Sequence, residues 1–294
     1  MADVFCAELS VRPRRGPLIT ATLAAVLLFA CLFTGCGRSE TPAPVSTSAR
    51  SGAPTCTPEA TGAVFTDGVD PASTPTAVPD SGYGAEFWKV AEALLPYYRE
   101  IALNAEHGTV DGKVHKWTRP ILFYVRPSPD AEKYDYYIQE LAARLEAIPG
   151  FPGIRRVVNA EAAELTLEFV TADEMNGITG AYGDPAYGYA HVSWYNSTGA
   201  LFSGSIFIVR EAESSEADVL HALTEEFTQA MGLLNDSYRY SDSIFYQGYS
   251  TVTQYSEADL TLLKLHYAVE IPAGTEYNTV SAIVSQKAHG SDLN

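Results

Sequence analysis

Hydrophobic positions recur along this chain in alternating periods, and they delimit the part that can fold. From Tyr83, the residues Phe87, Val90, Ala91, Leu94, Leu95 and Tyr98 return at helical spacing and predict an amphipathic helix. "RPILFYVRP", Arg119 to Pro127, is a β-branched and aromatic run between prolines, which predicts a strand. Ile138, Leu141 and Leu145 share one face of a second helix, from about Asp130 to Ala147, which "IPGFPG" terminates. "AELTLEFVT", Ala163 to Thr171, alternates Leu165, Leu167 and Phe169 against polar neighbours as a half-buried strand does. "GITGAYGDPAYG" is loop by its turn residues. "YAHVSWY" at 189 to 195 and "GSIFIVR" at 204 to 210 predict two further strands joined through "NSTG". Helix, strand, helix, strands, helix, helix is the order of an α+β or α/β domain with one mostly buried sheet. Residues after Thr275 carry no motif, and "KAHGSDLN" reads as a frayed tail.

The pattern before residue 83 is different. Arg12, Arg14 and Arg15 precede an apolar run from Leu18 to Phe33 that ends in "LFTGC". This reads as a secretory leader of residues 1–36 with a lipoprotein-type cleavage site before Cys36, whose thiol would carry the lipid. Cys31 is the rival position. An uncleaved anchor is the alternative, but the run falls short of the ~20 residues that a span needs. Either reading places the remainder outside the cytoplasm and at a membrane. Residues 37–82 hold seven prolines among Ser, Thr and Ala, with few large apolar side chains, so they cannot offset chain entropy by burial and are expected to form an extended stalk. The folded domain is then 83–294.

Charge narrows the partners. The 294 residues include 36 acidic and 19 basic side chains, a net of −17, and no basic stripe follows residue 40, which argues against nucleic acid. Loss of the leader would leave 16 basic against 34 acidic side chains, a net of −18. Of four cysteines only Cys36 and Cys56 would then remain, too few for a disulfide framework when one is acylated.

Candidate chemistry concentrates in "TEEFTQAMGLLND", 224 to 236. Ser215 with Asp218 predicts the start of this helix, and Val219, Leu220, Leu223, Phe227, Met231 and Leu234 mark its buried face. His221, Glu225 and Gln229 fall together on nearly the opposite side, with Glu226 about 100° round from Glu225. Gly232 permits the turn that ends the helix. Periodicity alone reads this as a polar face turned to solvent.

Spacing adds a second reading. With Glu226 set as the glutamate of HExxHxxGxxH, the signature of the metzincin zinc peptidases, Glu225, Gln229 and Asn235 stand at the three histidines and Gly232 at the glycine. "SDSIFY", 241 to 246, resembles the methionine turn of that group with Phe245 in place of methionine, and "YSEADLTLLKLHY", 255 to 267, resembles its last helix. The stretch "EEFTQAMGLLNDS" followed by "DSIFY" also resembles an uncharacterised bacterial family of exported proteins known only as a domain of unknown function. The resemblance implies a metzincin-like α+β domain with a mixed sheet and a degenerate zinc site. Amides are weak, neutral donors where zinc wants imidazole or carboxylate, so no cofactor is expected, with zinc or another divalent cation as the alternative. Glu226 is the catalytic candidate; Glu225, Gln229 and Asn235 are the degenerate ligand positions. His221, His191, Asp236, Phe245 and Tyr246 are further cleft candidates.

Three uses of these residues follow. As relics of a ligand set they would hold the helix or bind a peptide or cell-wall ligand; His221, Glu225 and Gln229 would hold a different ion such as calcium; or the carboxylates would act without metal. Adjacent helical residues point too far apart to flank one bond, which ranks the last reading lowest. The favoured expectation is a membrane-anchored binding or envelope module, and the alternative is a metal-dependent hydrolase using Glu226.

Overall fold

The computed structural model describes residues 4–8, 80–104, 111–179, 187–210 and 214–290. Cys31, Cys36 and the stalk up to residue 79 lie outside them. The domain is α+β. Its sheet is built from β2 (Ile121–Val125), β3 (Ile154–Arg156), β4 (Leu165–Val170), β5 (Gly188–Tyr195) and β6 (Leu201–Val209). The strand order is β5-β6-β4-β2-β3, with β1 (Val4–Glu8), from the segment read as a leader, antiparallel beyond β5. β3, β2, β4 and β6 run parallel and β5 antiparallel, so the sheet is mixed. The antiparallel β5–β6 pair turns at "NSTGA", where Gly199 has a φ of 69° and lies against the backbone of Gly274.

The helices are α1 (Ala85–Ala93), α2 (Leu95–Ala102), α3 (Pro129–Lys133), α4 (Asp135–Glu146), α5 (Ala172–Thr179), α6 (Glu216–Gln229), α7 (Glu257–Tyr267) and α8 (Tyr277–His289). The single helix expected from Tyr83 is two, because Pro96 offers no backbone N–H and is tolerated only in the first turn of a new helix. The helix expected from Asp130 also breaks, at Tyr134, whose buried ring stacks on Phe169.

Two stretches gain structure that periodicity did not foretell. α5 occupies the start of the region read as loop, and α8 runs through the segment read as featureless and into the one read as frayed. α8 packs on α1 through Val280, Val284 and Ala288, and its last turn is tied down from outside. Lys287 Nζ donates to Glu270 at 2.9 Å, and His289 Nε2 pairs with Glu92 at 2.7 Å. Among the described residues no helix is long and apolar enough to cross a membrane.

α6 packs on β5 and β6. Val219, Ala222, Leu223 and Phe227 are buried there, and the Phe227 ring meets Phe123 of β2 edge-on at 5.2 Å. Removing a phenylalanine from such a contact costs about 3–5 kcal/mol, so the placement of α6 on the sheet is strongly fixed.

Candidate functional site

α6 begins as the sequence predicts. Ser215 Oγ accepts from the Asp218 N–H at 3.1 Å and the Asp218 carboxylate accepts from the Ser215 N–H, a complete capping box. What lies further along differs from the solvent-facing expectation. His221 is 2% exposed, Glu225 5%, Glu226 7% and Gln229 7%. The polar side of the helix is therefore covered, and each of its groups must be matched with a partner or lose the free energy of hydration.

Those partners come from distant parts of the chain. His221 donates through Nδ1 to the Val252 carbonyl, and its Nε2 lies 3.5 Å from Glu225 Oε2. Gln229 Nε2 donates to Asp236 Oδ1 at 2.7 Å. Glu226 lies against β5: a Cβ at Gly188 would stand 2.5 Å from its Cγ and 2.8 Å from its Oε1, so only glycine leaves room for the carboxylate. Glu225 and Glu226 thus stand in different surroundings, one beside an imidazole and one against strand backbone.

Asn235 serves a different element. Its Nδ2 donates to the Glu100 carbonyl at 2.8 Å and the Asp236 carbonyl at 3.0 Å, and its own N–H donates to Ile101 O at 3.1 Å. The bonds to Glu100 and Ile101 satisfy carbonyls at the C-terminal end of α2, groups that every helix leaves without an internal partner. The structure thus joins His221 with Glu225 and Gln229 with Asp236, and ties Asn235 to α2. Among the described residues no group of three or more His, Cys, Asp or Glu side chains is placed to hold a metal ion.

The turn after the helix is built around Asp259. Ser256 and Asp259 form the capping box of α7, and the same carboxylate accepts from Ser243 Oγ at 2.6 Å and from the Ile244 N–H at 3.2 Å. Asp259 is fully buried; burial pushes its carboxyl above the usual range while the four hydrogen bonds to it work in the other direction. Phe245 is completely buried beneath this turn. Tyr246 is half-buried, its ring edge-on to Tyr238 at 6.1 Å. His191 sits half-buried on β5 opposite Ser205 of β6.

One buried cation had no signal in the sequence pattern. Lys116 Nζ donates to the carbonyls of His266, Ala268 and Ile271, at 2.9, 3.3 and 2.5 Å, and so closes the C-terminal end of α7. Burial pushes its pKa down to about 8. Only its distance from any motif hid it.

These features define a class: an α+β domain with a mixed sheet, whose longest helix carries a buried row of polar side chains matched from the turns around it. Within that class, residues 91–286 match the family described as "Protein of unknown function (DUF2927)", and the chain belongs to it. No curated protein matches the chain.

Proposed function

We propose that the chain is an exported lipoprotein, anchored through Cys36, whose metzincin-like domain binds a peptide or cell-wall ligand without hydrolysing it. The observation that most supports this reading is how the two amides at ligand positions are used. Hydrogen bonds from the amide nitrogens turn Gln229 to Asp236 and Asn235 to the end of α2, and each amide could offer a metal only its neutral carbonyl oxygen. Neither is a strong metal donor, and a hydrolytic zinc needs three firm protein ligands and one open position. Without three such donors, Glu226 has no activated water to deprotonate.

A hydrolase with an unusual ion is the second reading, favoured by Glu226 itself: a carboxylate accommodated against Gly188 on the strand that would border a cleft. The full chain, purified without chelator, decides between the two by metal analysis and by comparison with Glu226→Gln on a peptide library. The expected result is no stoichiometric metal and no cleavage by either form. Stoichiometric metal with cleavage that Glu226→Gln abolishes would overturn the binding-module reading.

A further inference from the structure

Residues 247–254, "QGYSTVTQ", cross over α6 with neither helix nor strand. Among the described residues no backbone-to-backbone hydrogen bond holds 248–254. Side chains hold the segment instead. The Val252 carbonyl accepts from His221 Nδ1, and the Thr253 carbonyl accepts from Tyr137 Oη at 3.3 Å and Arg144 Nη1 at 2.9 Å. Tyr249 Oη donates to Asp218 Oδ1 at 3.1 Å, with its ring half exposed. Val252 packs partly on the core; its neighbours Thr251 and Gln254 face solvent.

The surface of α6 that this segment meets is polar. His221 and Thr224 are buried there, Thr224 within 2.7 Å of Tyr137 Oη, and His221 leads directly to Glu225. Four side-chain hydrogen bonds, each worth on the order of 1 kcal/mol net, oppose lifting the segment. Hydrophobic burial opposes it through Val252 and half of the Tyr249 ring, and the imidazole and hydroxyl regain water when uncovered. Segments with few apolar contacts and side-chain ties are the ones that open locally at least cost.

Both ends are pinned. On one side the Gln247 N–H donates to Ser237 O at 3.0 Å, and Ser237 N–H donates to Phe245 O. On the other, Tyr255 Oη meets Thr228 Oγ1 at 2.8 Å and Ser256 enters the α7 capping box. Gly248 follows the first pin and lies on the Tyr246 ring, where a Cβ would come within 2.4 Å.

We propose that residues 247–254 form a lid, which opens as a unit between these pins and uncovers His221, the imidazole beside Glu225, while the rest of the domain stays folded. The lid goes beyond the binding-module reading: it governs access to the polar row, whether that row meets a peptide, a cell-wall group or an ion.

Histidine footprinting of the full chain with diethylpyrocarbonate, mapped by peptide mass, tests it. His221 is tied to the lid through the Val252 carbonyl, whereas His266 is completely buried against the 115 backbone and serves as the internal control. The expected result is labelling of His221 without labelling of His266, with the His221 rate rising about ten-fold in Tyr137→Phe/Arg144→Met and about three-fold in Tyr249→Phe. Equal labelling of His221 and His266 would overturn the lid, since both would then report whole-domain unfolding. So would a His221 rate that neither variant changes. Should the double variant unfold, Tyr249→Phe decides alone, because it removes one bond from a ring already half exposed.

Discussion

At Gly232 the chain leaves α6 with a φ of 106°, and a Cβ built there would stand 1.9 Å from the His115 carbonyl oxygen and 2.8 Å from His266 Nε2. Two independent requirements meet at one residue. The left-handed backbone disfavours any side chain, and the close passage of the 115 backbone leaves no volume for one. The neighbours cannot yield cheaply, because His115 O accepts from His266 Nε2 at 3.1 Å and Trp117 Nε1 donates to Ala230 O at 2.9 Å. Gly232→Ala is therefore expected to cost at least about 4 kcal/mol, near the upper end for single substitutions. Urea unfolding of the purified domain measures it. A loss under about 1 kcal/mol, the ordinary cost of glycine replacement, would show that the backbone moves aside freely.

Among the elements, the pairing of α7 with the 243–245 turn rests on one carboxylate. Asp259→Ala would leave the Ser243 hydroxyl, the Ile244 N–H and the Ser256 N–H without their acceptor, at about 1–3 kcal/mol for each buried group so stranded. The expected loss is about 3 kcal/mol, with Asp259→Asn recovering part of it, read as a fall in the urea midpoint at unchanged slope. An equal loss in both variants would mean that charge rather than acceptor geometry holds the turn.

Elements written in local spacing were legible from sequence. The capping pair Ser215–Asp218, and the alternation of Leu165, Leu167 and Phe169, involve residues a turn or a pleat apart. The breaks at Leu94 and Tyr134, the existence of α8 and the covering of the α6 polar face were not. His221 finds Val252 and Glu226 finds Gly188, partners dozens of residues away that no periodicity connects. A polar face looks the same in sequence whether water or a turn of the chain covers it.

For the molecule as a whole, two electrostatic effects pull stability in opposite directions as pH falls. The excess of 36 acidic over 19 basic side chains is self-repulsive at neutral pH, and protonation of carboxylates relieves it. Against this stands His266, completely buried, with Nε2 donating to the His115 carbonyl and Nδ1 accepting from Tyr98 Oη at 3.1 Å. Burial, reinforced by the nearby Lys116 ammonium, lowers its pKa from 6.5 to about 3. The folded value lies below the unfolded one, so between pH 6.5 and 3 the unfolded chain holds a proton that the folded chain refuses. The stability this group contributes is full above pH 6.5 and is lost as pH falls towards 3, at about 1.4 kcal/mol per pH unit. Lys116 acts with the same sign at higher pH, since its folded value of about 8 also lies below the ordinary 10.5, and stability from it rises between those two values. Urea unfolding of the wild-type chain and of His266→Gln at steps from pH 7 to 4 isolates the imidazole, because the surface charges are common to both. The variant is expected to be less stable at pH 7 and to lose stability less steeply on acidification, by about 1.4 kcal/mol per pH unit. Parallel slopes would mean that His266 is protonated inside the fold, and the acid limb would then belong to the buried carboxylates.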